Sequence, residues 1–240
     1  MNAGKRTERR NPGTPTERIR RLNARIPVAL VREESAIAKQ LRKPRISPMD
    51  GLEALYDLVD RHLSYTSGLV ACHKGCAYCC YSEVATSRLE ADFIAAKTGL
   101  LVAEVADAPM VSESFRDPAR PCPFVTTADN TCAIYPYRPM LCRTHISFAT
   151  TNAPCQFDST DIGMPNLDRG RSWPGVMRGY LDIVERHGGV WADIRNYFPL
   201  KNEGGEIVAN FECYSTKQSA KDRAVAVRSN APITQFIDLT

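Results

Sequence analysis

Apolar side chains recur at helical spacing in three separate stretches of the 240-residue chain. The first stretch begins at Ser47-Pro48, where a capping serine precedes a proline in the first turn, and continues to about Thr66. One face of it carries the apolar side chains Leu52, Leu55, Tyr56, Val59 and Leu63. A stripe at this spacing is typical of a helix that packs against a core. We predict a long helix that ends just before the first cysteines.

The second stretch is predicted to be a helix from the residues at its two ends. Ser87 and Glu90 have the spacing of a capping box, and Gly99 is a suitable terminator. The positions expected to face inward are Leu89, Phe93 and Ile94.

The third stretch follows Trp173-Pro174 and is closed by Gly188-Gly189. Its apolar stripe consists of Val176, Tyr180, Ile183 and Val184. Proline near the start and glycine just past the end are the usual asymmetry of a helix, so we predict one here.

The remaining stretches are less regular. Residues 121–145 contain short apolar runs separated by a polar turn at 128–130 and by two prolines, which predicts a small hairpin and an irregular loop. Shorter helices are expected over Leu100 to about Phe115, Trp191 to Tyr197 and Lys217 to Val227. The predicted fold class is mainly α with a small irregular β-hairpin, in one compact domain.

Charge is distributed unevenly along the chain, whose net charge is +4. Residues 1–46 hold 13 Lys or Arg against 4 Asp or Glu, whereas residues 47–240 hold 18 against 23. We predict a basic, partly disordered N-terminal arm at 1–46, a cysteine-cluster metal-binding domain at 47–200 and a C-terminal extension at 201–240. The arm could bind an acidic or nucleic-acid partner, but a solvated extension is favoured because no aromatic residue is interleaved for base stacking.

The expected cellular compartment is inferred from two patterns, a secretory leader and a membrane span, that are not found in the sequence. Residues 1–25 do not have the charged-then-apolar pattern of a secretory leader, and no stretch approaches the roughly 20 apolar residues of a membrane span. We expect a soluble, cytoplasmic protein, in which clustered thiols stay reduced and serve metal binding or catalysis. Disulfides are disfavoured for the same reason, and a bridge between the adjacent Cys79 and Cys80 would be strained.

Cysteines carry the candidate chemistry. The segment CHKGCAYCC places four of the nine cysteines in nine residues, and thiolates are strong ligands of zinc and iron. Cys76 and Cys79 are separated by two residues and can reach one ion with little strain, whereas the side chains of Cys79 and Cys80 should diverge toward different centres. We predict two four-thiolate centres around which the domain is organised. Their candidate ligands are Cys72, Cys76, Cys79, Cys80, Cys122, Cys132, Cys142 and Cys155.

These motifs resemble the YkgJ-type cysteine-cluster family, described as carrying a "putative zinc- or iron-chelating domain". The resemblance extends from Cys72 to about Cys155 and rests on CHKGCAYCC, on Glu90-Ala91, on CPF at 122–124 and on CAIYPYRPMLCR at 132–143. One departure is that three residues, not two, separate Cys72 from Cys76. The resemblance implies metal chelation by the eight cysteines and implies no established reaction.

The same departure leaves an alternative function open. Cys72, Cys76 and Cys79 spell the CxxxCxxC signature of radical S-adenosylmethionine enzymes, and flagellin lysine methylases are similar in their cysteine cluster. An iron-sulfur oxidoreductase or an S-adenosylmethionine-dependent methylating enzyme is therefore the alternative. Against it, the chain after Cys79 does not show the regular strand and helix alternation that such enzymes need. No catalytic residue is identifiable.

The identity of the metal is undecided between zinc and an iron-sulfur cluster. Zinc would make the centres architectural, whereas iron-sulfur would add electron transfer. An all-cysteine set favours iron-sulfur, since zinc sites often include histidine. His145 and His73 are expected to be surface or hydrogen-bonding residues, and neither is among the eight candidate ligands.

Several other polar residues near the cysteines have expected roles. Lys74, Arg138 and Arg143 would compensate the negative charge of a thiolate site, with an exposed loop cation as the equal alternative for the two arginines. Glu90 is explained by its capping role. Cys213 stands apart and is expected to be a buried or incidental thiol.

Overall fold

The computed structural model describes residues 13–105, 120–126, 128–157 and 173–199. Within these ranges the chain forms seven α-helices and one sheet of two short strands. The helices are α1 (Pro15–Arg25), α2 (Val28–Leu41), α3 (Pro48–Leu63), α4 (Arg88–Thr98), α5 (Met140–Thr144), α6 (Pro174–Arg186) and α7 (Ile194–Tyr197). The strands are β1 (Ala85–Ser87) and β2 (Trp191–Asp193). The predicted class, mainly α with a small β component in a single compact domain, is confirmed.

The three helices predicted from stripes and caps are present. At the start of α3 the side-chain oxygen of Ser47 accepts a hydrogen bond from the N–H of Asp50 at 3.1 Å. In α4 both hydrogen bonds of the Ser87–Glu90 capping box are present, and Gly99 follows the helix with φ of 81°. A positive φ disfavours any residue with a Cβ, which explains why glycine ends this helix.

The main core lies where α2, α3 and α6 pack together. Glycines allow α2 and α6 to approach closely: a Cβ on Gly175 would lie 2.0 Å from the carbonyl oxygen of Glu34, and one on Gly179 would lie 3.1 Å from Leu41 Cδ1. The buried carboxylate of Glu34 also accepts the N–H groups of Gly175 and Val176 at 2.6 and 3.1 Å. A negative charge is favourable at this helix N-terminus, so one residue of α2 fixes both the position and the cap of α6.

Residues 15–41 form α1 and α2, although the sequence analysis placed them in the basic arm and began the first helix at Ser47. α1 starts with a capping box between Thr14 and Glu17, and the buried face of α2 belongs to the main core. Both helices bury a charged residue, Arg18 in α1 and Glu34 in α2, at a position where an apolar side chain would be expected. These two charged residues interrupt the apolar stripes of α1 and α2, and the prediction of helices depended on such stripes. Residues 1–12 lie outside the described part.

The two-stranded sheet is not in the region where the hairpin was predicted. β1 and β2 are antiparallel, with Ala85 opposite Asp193 and Ser87 opposite Trp191. The short helix predicted from Trp191 is therefore wrong over its first three residues, which form β2, and correct for α7. Pairing with β1 is a long-range interaction that a local pattern does not reveal.

Smaller predicted elements have different outcomes. Between residues 121 and 145 a single antiparallel bridge joins Val125 to Cys132, so the predicted hairpin is present only in this minimal form. The helix predicted from Leu100 is not formed over the described residues 100–105, and the rest of it lies outside the described part, as does the helix predicted from Lys217.

Two further features complete the fold. A second, smaller core contains Phe124, Ile134, Tyr197 and Phe198, and it joins the loop after residue 120 to β2 and α7. In the part of the chain that the structure describes, every helix is too short or too polar to cross a membrane.

Substitution of Gly175 by alanine tests the close approach of α2 and α6. Alanine is normally the better helix former by about 1 kcal/mol, but the new methyl group would overlap the backbone of Glu34. We expect net destabilisation of about 1–3 kcal/mol, measured by urea denaturation. Arg178→Ala, on the exposed face of the same helix, should change the free energy of unfolding by less than about 0.5 kcal/mol. A Gly175→Ala protein as stable as the unaltered chain would contradict the packing described.

Candidate metal centre

All eight candidate ligands lie within the described residues, and none of them forms a disulfide. The loop that follows α3 carries the first of them. The N–H of Ala71 donates to the carbonyl oxygen of Ser147 at 2.8 Å, and the N–H of Ser147 donates to Cys72 Sγ at 3.4 Å. This pair of bonds holds Cys72 beside a segment 75 residues further along the chain.

A tight turn presents Cys76. The N–H of Cys76 donates to the carbonyl oxygen of His73 at 3.1 Å, and Gly75 within the turn has φ of 85°. Burial and the neighbouring Cys79 raise the pKa of the Cys76 thiol, while hydrogen bonds from the backbone of Tyr78 and from the side chain of Asn152 act in the opposite direction. Backbone N–H groups directed at sulfur are the environment that a thiolate requires.

Asn152 also brings the last candidate, Cys155, to the same place. The N–H of Cys155 donates to the carbonyl oxygen of Asn152 at 2.8 Å, in a short 3-10 turn. Two residues on, the ring of Phe157 packs edge-on against Tyr78 and Tyr81, with centroids 5.6 and 5.1 Å apart. The segment around residue 155 therefore lies against the segment around residue 78.

Electrostatic interactions define the first set of thiols, which we call the outer group: Cys72, Cys76, Cys79 and Cys155. Loss of water around its sulfur is the largest cause that raises the pKa of Cys72, although the residue itself is exposed. The hydrogen bond from Ser147 opposes this rise, and the charges of Cys79, Cys76 and Cys155 add to it. Two members of the outer group, Cys72 and Cys79, are exposed to solvent.

The other four thiols, which we call the inner group, are Cys80, Cys122, Cys132 and Cys142. All four lie in or against the second core. The N–H of Cys122 donates to the carbonyl oxygen of Cys80 at 2.7 Å, and the bridge between Val125 and Cys132 brings the third thiol alongside. The fourth, Cys142, is presented by α5.

Crowding and burial raise the pKa values of three inner thiols, Cys80, Cys122 and Cys142. Burial raises the pKa of Cys122 to about 12, with the charge of Cys132 as the next contribution. Burial is also the first cause for Cys142, followed by the charges of Cys122, Cys79 and Cys132. Thiols that raise one another's pKa values in this way resist ionisation unless a cation is bound between them.

The adjacent Cys79 and Cys80 do not behave entirely as predicted. They lie in a 3-10 turn, Tyr78–Tyr81, and their thiols are hydrogen-bonded, which is the largest cause of the raised pKa of Cys80. The expectation that the two side chains diverge is therefore wrong for the thiols themselves. Cys79 interacts with both groups, since its charge acts on Cys72 and on Cys142.

Arg195 is the residue of this region that sequence analysis missed. Its guanidinium forms a buried ion pair with Asp193 at 2.8 Å and donates to the carbonyl oxygens of Cys80 and Ser82 at 3.2 and 2.9 Å. It also donates to the carbonyl oxygen of Arg120 at 3.0 Å, just before Cys122. One side chain thus connects β2, the first cysteine segment and the second. No local pattern distinguishes this arginine from the others in the chain.

The cations that the sequence did single out have distinct roles. Arg138 lowers the pKa of Cys142 and stacks on the Tyr135 ring at 3.7 Å, so it is placed to compensate thiolate charge. Arg143 is buried and ion-paired with Asp60, which excludes the exposed-cation interpretation. Lys74 lies near Asp129 in the neighbouring turn, where hydrogen bonds from Thr126 and Thr131 lower the pKa of the carboxylate and the charge of Lys74 adds a smaller effect.

Glu90 has the predicted capping role and an additional one. Its fully buried carboxylate accepts the hydroxyls of Tyr56 and Tyr180 at 2.9 and 2.7 Å. It also accepts the N–H of Met140 at 2.6 Å, the first residue of α5. Glu90 therefore fixes the helix that presents Cys142 relative to α4.

Three other residues considered in the sequence analysis are His73, His145 and Cys213. His73 is exposed, and its Nδ1 lies 2.9 Å from the carbonyl oxygen of Ala71. His145 is half-buried, and its backbone N–H donates to Leu141 at 2.9 Å. Cys213 lies outside the described residues.

The donor set fits a soft metal by its chemistry, because it consists of thiols with backbone N–H groups directed at sulfur. Over the described ranges, however, no three or more His, Cys, Asp or Glu side chains are arranged so that they could hold an ion directly. Each group is therefore close enough for electrostatic coupling but does not form a finished coordination shell.

The arrangement gives little support to the alternative function, an iron-sulfur oxidoreductase or an S-adenosylmethionine-dependent methylating enzyme. The described sheet consists of two antiparallel strands, whereas repeated strand and helix units would build a parallel sheet. The CxxxCxxC thiols Cys72, Cys76 and Cys79 all belong to the outer group, which also includes Cys155.

Replacing Arg195 tests whether one side chain holds the cysteine segments together. Arg195→Ala removes hydrogen bonds to two loops and leaves the buried Asp193 of β2 without its ion-pair partner, so we expect a loss of about 3–5 kcal/mol in the free energy of unfolding. Arg42 forms an ion pair of similar length with Asp182, but its side chain is 61% exposed compared with 12% for Arg195. Arg42→Ala should therefore cost less than about 1 kcal/mol. Equal losses for the two variants would contradict the role assigned to Arg195.

Comparison with known families supports metal binding. Residues 71–158 match the model of the CxxCxxCC family, described as a "putative zinc- or iron-chelating domain". The resemblance noted from the cysteine motifs is confirmed over this segment, which contains all eight candidate ligands. Residues 194–238 match a second model, a domain of unknown function (DUF1508), to which no sequence motif had pointed. No curated protein and no solved structure matches the chain.

Proposed function

We propose that the segment matching the zinc- or iron-chelating family binds two metal centres, one in the outer and one in the inner thiol group. The family match supports metal binding as such. The observation that carries the assignment of two centres is the electrostatic grouping. Cys72 responds to Cys79, Cys76 and Cys155, whereas Cys142 responds first to Cys122, then to Cys79 at the border of the two groups, and then to Cys132. Four sulfurs are the usual complement of one zinc ion or one cluster.

Charge explains how the protein's own residues would tolerate such centres. Four thiolates around a divalent ion carry net negative charge, which is costly when water is excluded. Burial raises the pKa values of the inner thiols Cys142 and Cys122, and the charges of Arg138 and Arg195, respectively, offset part of that rise. N–H groups of Ser147, Tyr78 and Phe124 act in the same direction on Cys72, Cys76 and Cys122.

Binding would have to move the cysteine loops, since the described thiols do not form a finished shell. Metal binding of this kind is coupled to local folding, because the ion supplies the free energy that orders its ligands. Each cysteine that becomes a ligand also releases its proton. The bound metal would then tie the loop after α3 to the segments around residues 122–142 and 155.

The choice between zinc and iron-sulfur rests on the ligand type. Both centres would be all-thiolate, which suits iron-sulfur clusters and is also found in structural zinc sites. With zinc the domain would be an architectural module, and with iron-sulfur it would carry electrons. Residues outside the two thiol groups do not favour either metal.

Metal analysis of protein purified without air tests this proposal. We expect about two zinc ions per chain or, for two 4Fe-4S clusters, about eight iron atoms with an equal amount of sulfide and a visible absorption that bleaches on reduction. Cys76→Ser and Cys132→Ser should each lose about half of the metal, because each removes a ligand from one group only. Cys213→Ser is the matched control and should retain all of it. Protein that holds neither zinc nor iron would refute the proposal.

A further inference from the structure

We propose that the outer thiol group exchanges its metal ion with thiols of an acceptor, whereas the inner group keeps its ion permanently. The inference rests on the proposed function and divides it between the two groups. The outer group would be a transfer site for a thiol-binding divalent ion such as zinc, and the inner group would hold the domain together.

Access to solvent is the first difference between the groups. In the outer group Cys72 and Cys79 are exposed, although Cys155 is buried. In the inner group none of the four thiols is exposed, and Cys122 is buried. The inner thiols lie against Phe124, Ile134 and the other apolar side chains of the second core. An incoming thiol must reach the ion before any ligand can leave, so exchange is favoured where sulfur faces water.

Anchoring is the second difference. In the outer group, Cys72 lies in a loop without helix or strand, which is held by the 2.8 Å backbone bond from Ala71 to Ser147 and by the 3.4 Å bond from the N–H of Ser147 to the sulfur of Cys72. In the inner group, the backbone of Cys122 is bonded to that of Cys80 at 2.7 Å, and Arg195 connects the same loops. Segments with few buried apolar contacts open at lower free energy than those built into a core.

The exchange itself needs no oxidant or reductant. Each acceptor thiol that binds the ion gives up a proton, and each cysteine that leaves the ion takes one, so the charge and the oxidation state of the metal are unchanged.

Cys79 lies where the two thiol groups meet. It is the exposed member of the hydrogen-bonded thiol pair with Cys80, so it borders both groups. When the outer ion leaves, the thiol of Cys79 still has Cys80 as a partner. The inner group need not open for the outer group to release its ion.

Zinc release to a coloured chelator tests the proposal. The full chain is loaded with zinc, its zinc content is measured, and excess 4-(2-pyridylazo)resorcinol is added. We expect two phases of equal amplitude whose rates differ by at least about tenfold. Cys76→Ser should abolish the fast phase, Cys132→Ser the slow one, and the control Cys213→Ser neither. Two zinc ions released in a single phase, or a fast phase lost in Cys132→Ser, would overturn the inference.

A measurement on the unaltered protein keeps the test decisive if a serine variant fails to fold. The zinc-loaded chain is treated with iodoacetamide for increasing times and digested with trypsin, which leaves Cys72 in the peptide 62–74 and three inner thiols in the peptide 117–143. We expect Cys72 to be alkylated at least about tenfold faster than the inner thiols. Equal rates would refute the division of roles. A chain that binds no zinc at the outset would refute the proposed function instead.

Discussion

Mutual repulsion between crowded thiolates is the constraint on which the cysteine-rich segment of this protein, residues 72–155, depends. Sulfur atoms from three segments, at residues 72–80, 122–142 and 155, lie close enough that each raises the pKa of its neighbours. Burial strengthens the effect, most clearly at Cys122, whose pKa rises to about 12. When so many thiols lie together their pKa values rise, unless a cation offsets the charge of the thiolates. Neutral thiols tolerate this crowding, and the cost arises only when they ionise, as metal ligands must.

Buried polar side chains, rather than regular secondary structure, hold the cysteine segments in place. Arg195 joins β2 to the loops around Cys80 and Cys122, and Arg143 pairs with Asp60 of α3 while it donates to the carbonyl oxygen of Arg138 at 3.0 Å. Arg18 has the same role from α1, since it donates to the carbonyl oxygens of Leu69, Phe148 and Ala149 at 3.2, 3.3 and 2.5 Å. Loops expose unpaired carbonyl groups, and a guanidinium with five donors satisfies several of them at once.

Local signals explain how much of the fold could be predicted. The helices α3, α4 and α6 each have an apolar stripe and a cap within their own sequence, so the pattern identified them. The helices α1 and α2 were missed because Arg18 and Glu34 occupy buried positions, and β2 was missed because its partner β1 lies more than one hundred residues earlier. Long-range contacts of this kind leave no periodic trace in the sequence.

The candidate site, like the fold, could be predicted from the sequence only in part. Spacing and motif resemblance nominated the eight cysteines, which all lie in the segment that matches the family model. That Cys79 and Cys80 serve different centres stays a prediction, because their thiols are hydrogen-bonded and Cys79 interacts with both groups. Which thiols lie together could not be derived, because the position of Cys155 beside Cys76 depends on Asn152 and on the packing of Phe157 against Tyr78. The same holds for Arg195, which acts through the backbone of residues far away in sequence.

X-ray absorption at the edge of the bound metal tests the central claim most directly, since it reports the atoms that surround the ion. The account predicts a shell of about four sulfur atoms, at about 2.3 Å if the metal is zinc. A shell made of nitrogen or oxygen atoms would contradict it, because the ion would then be held by residues other than the two thiol groups.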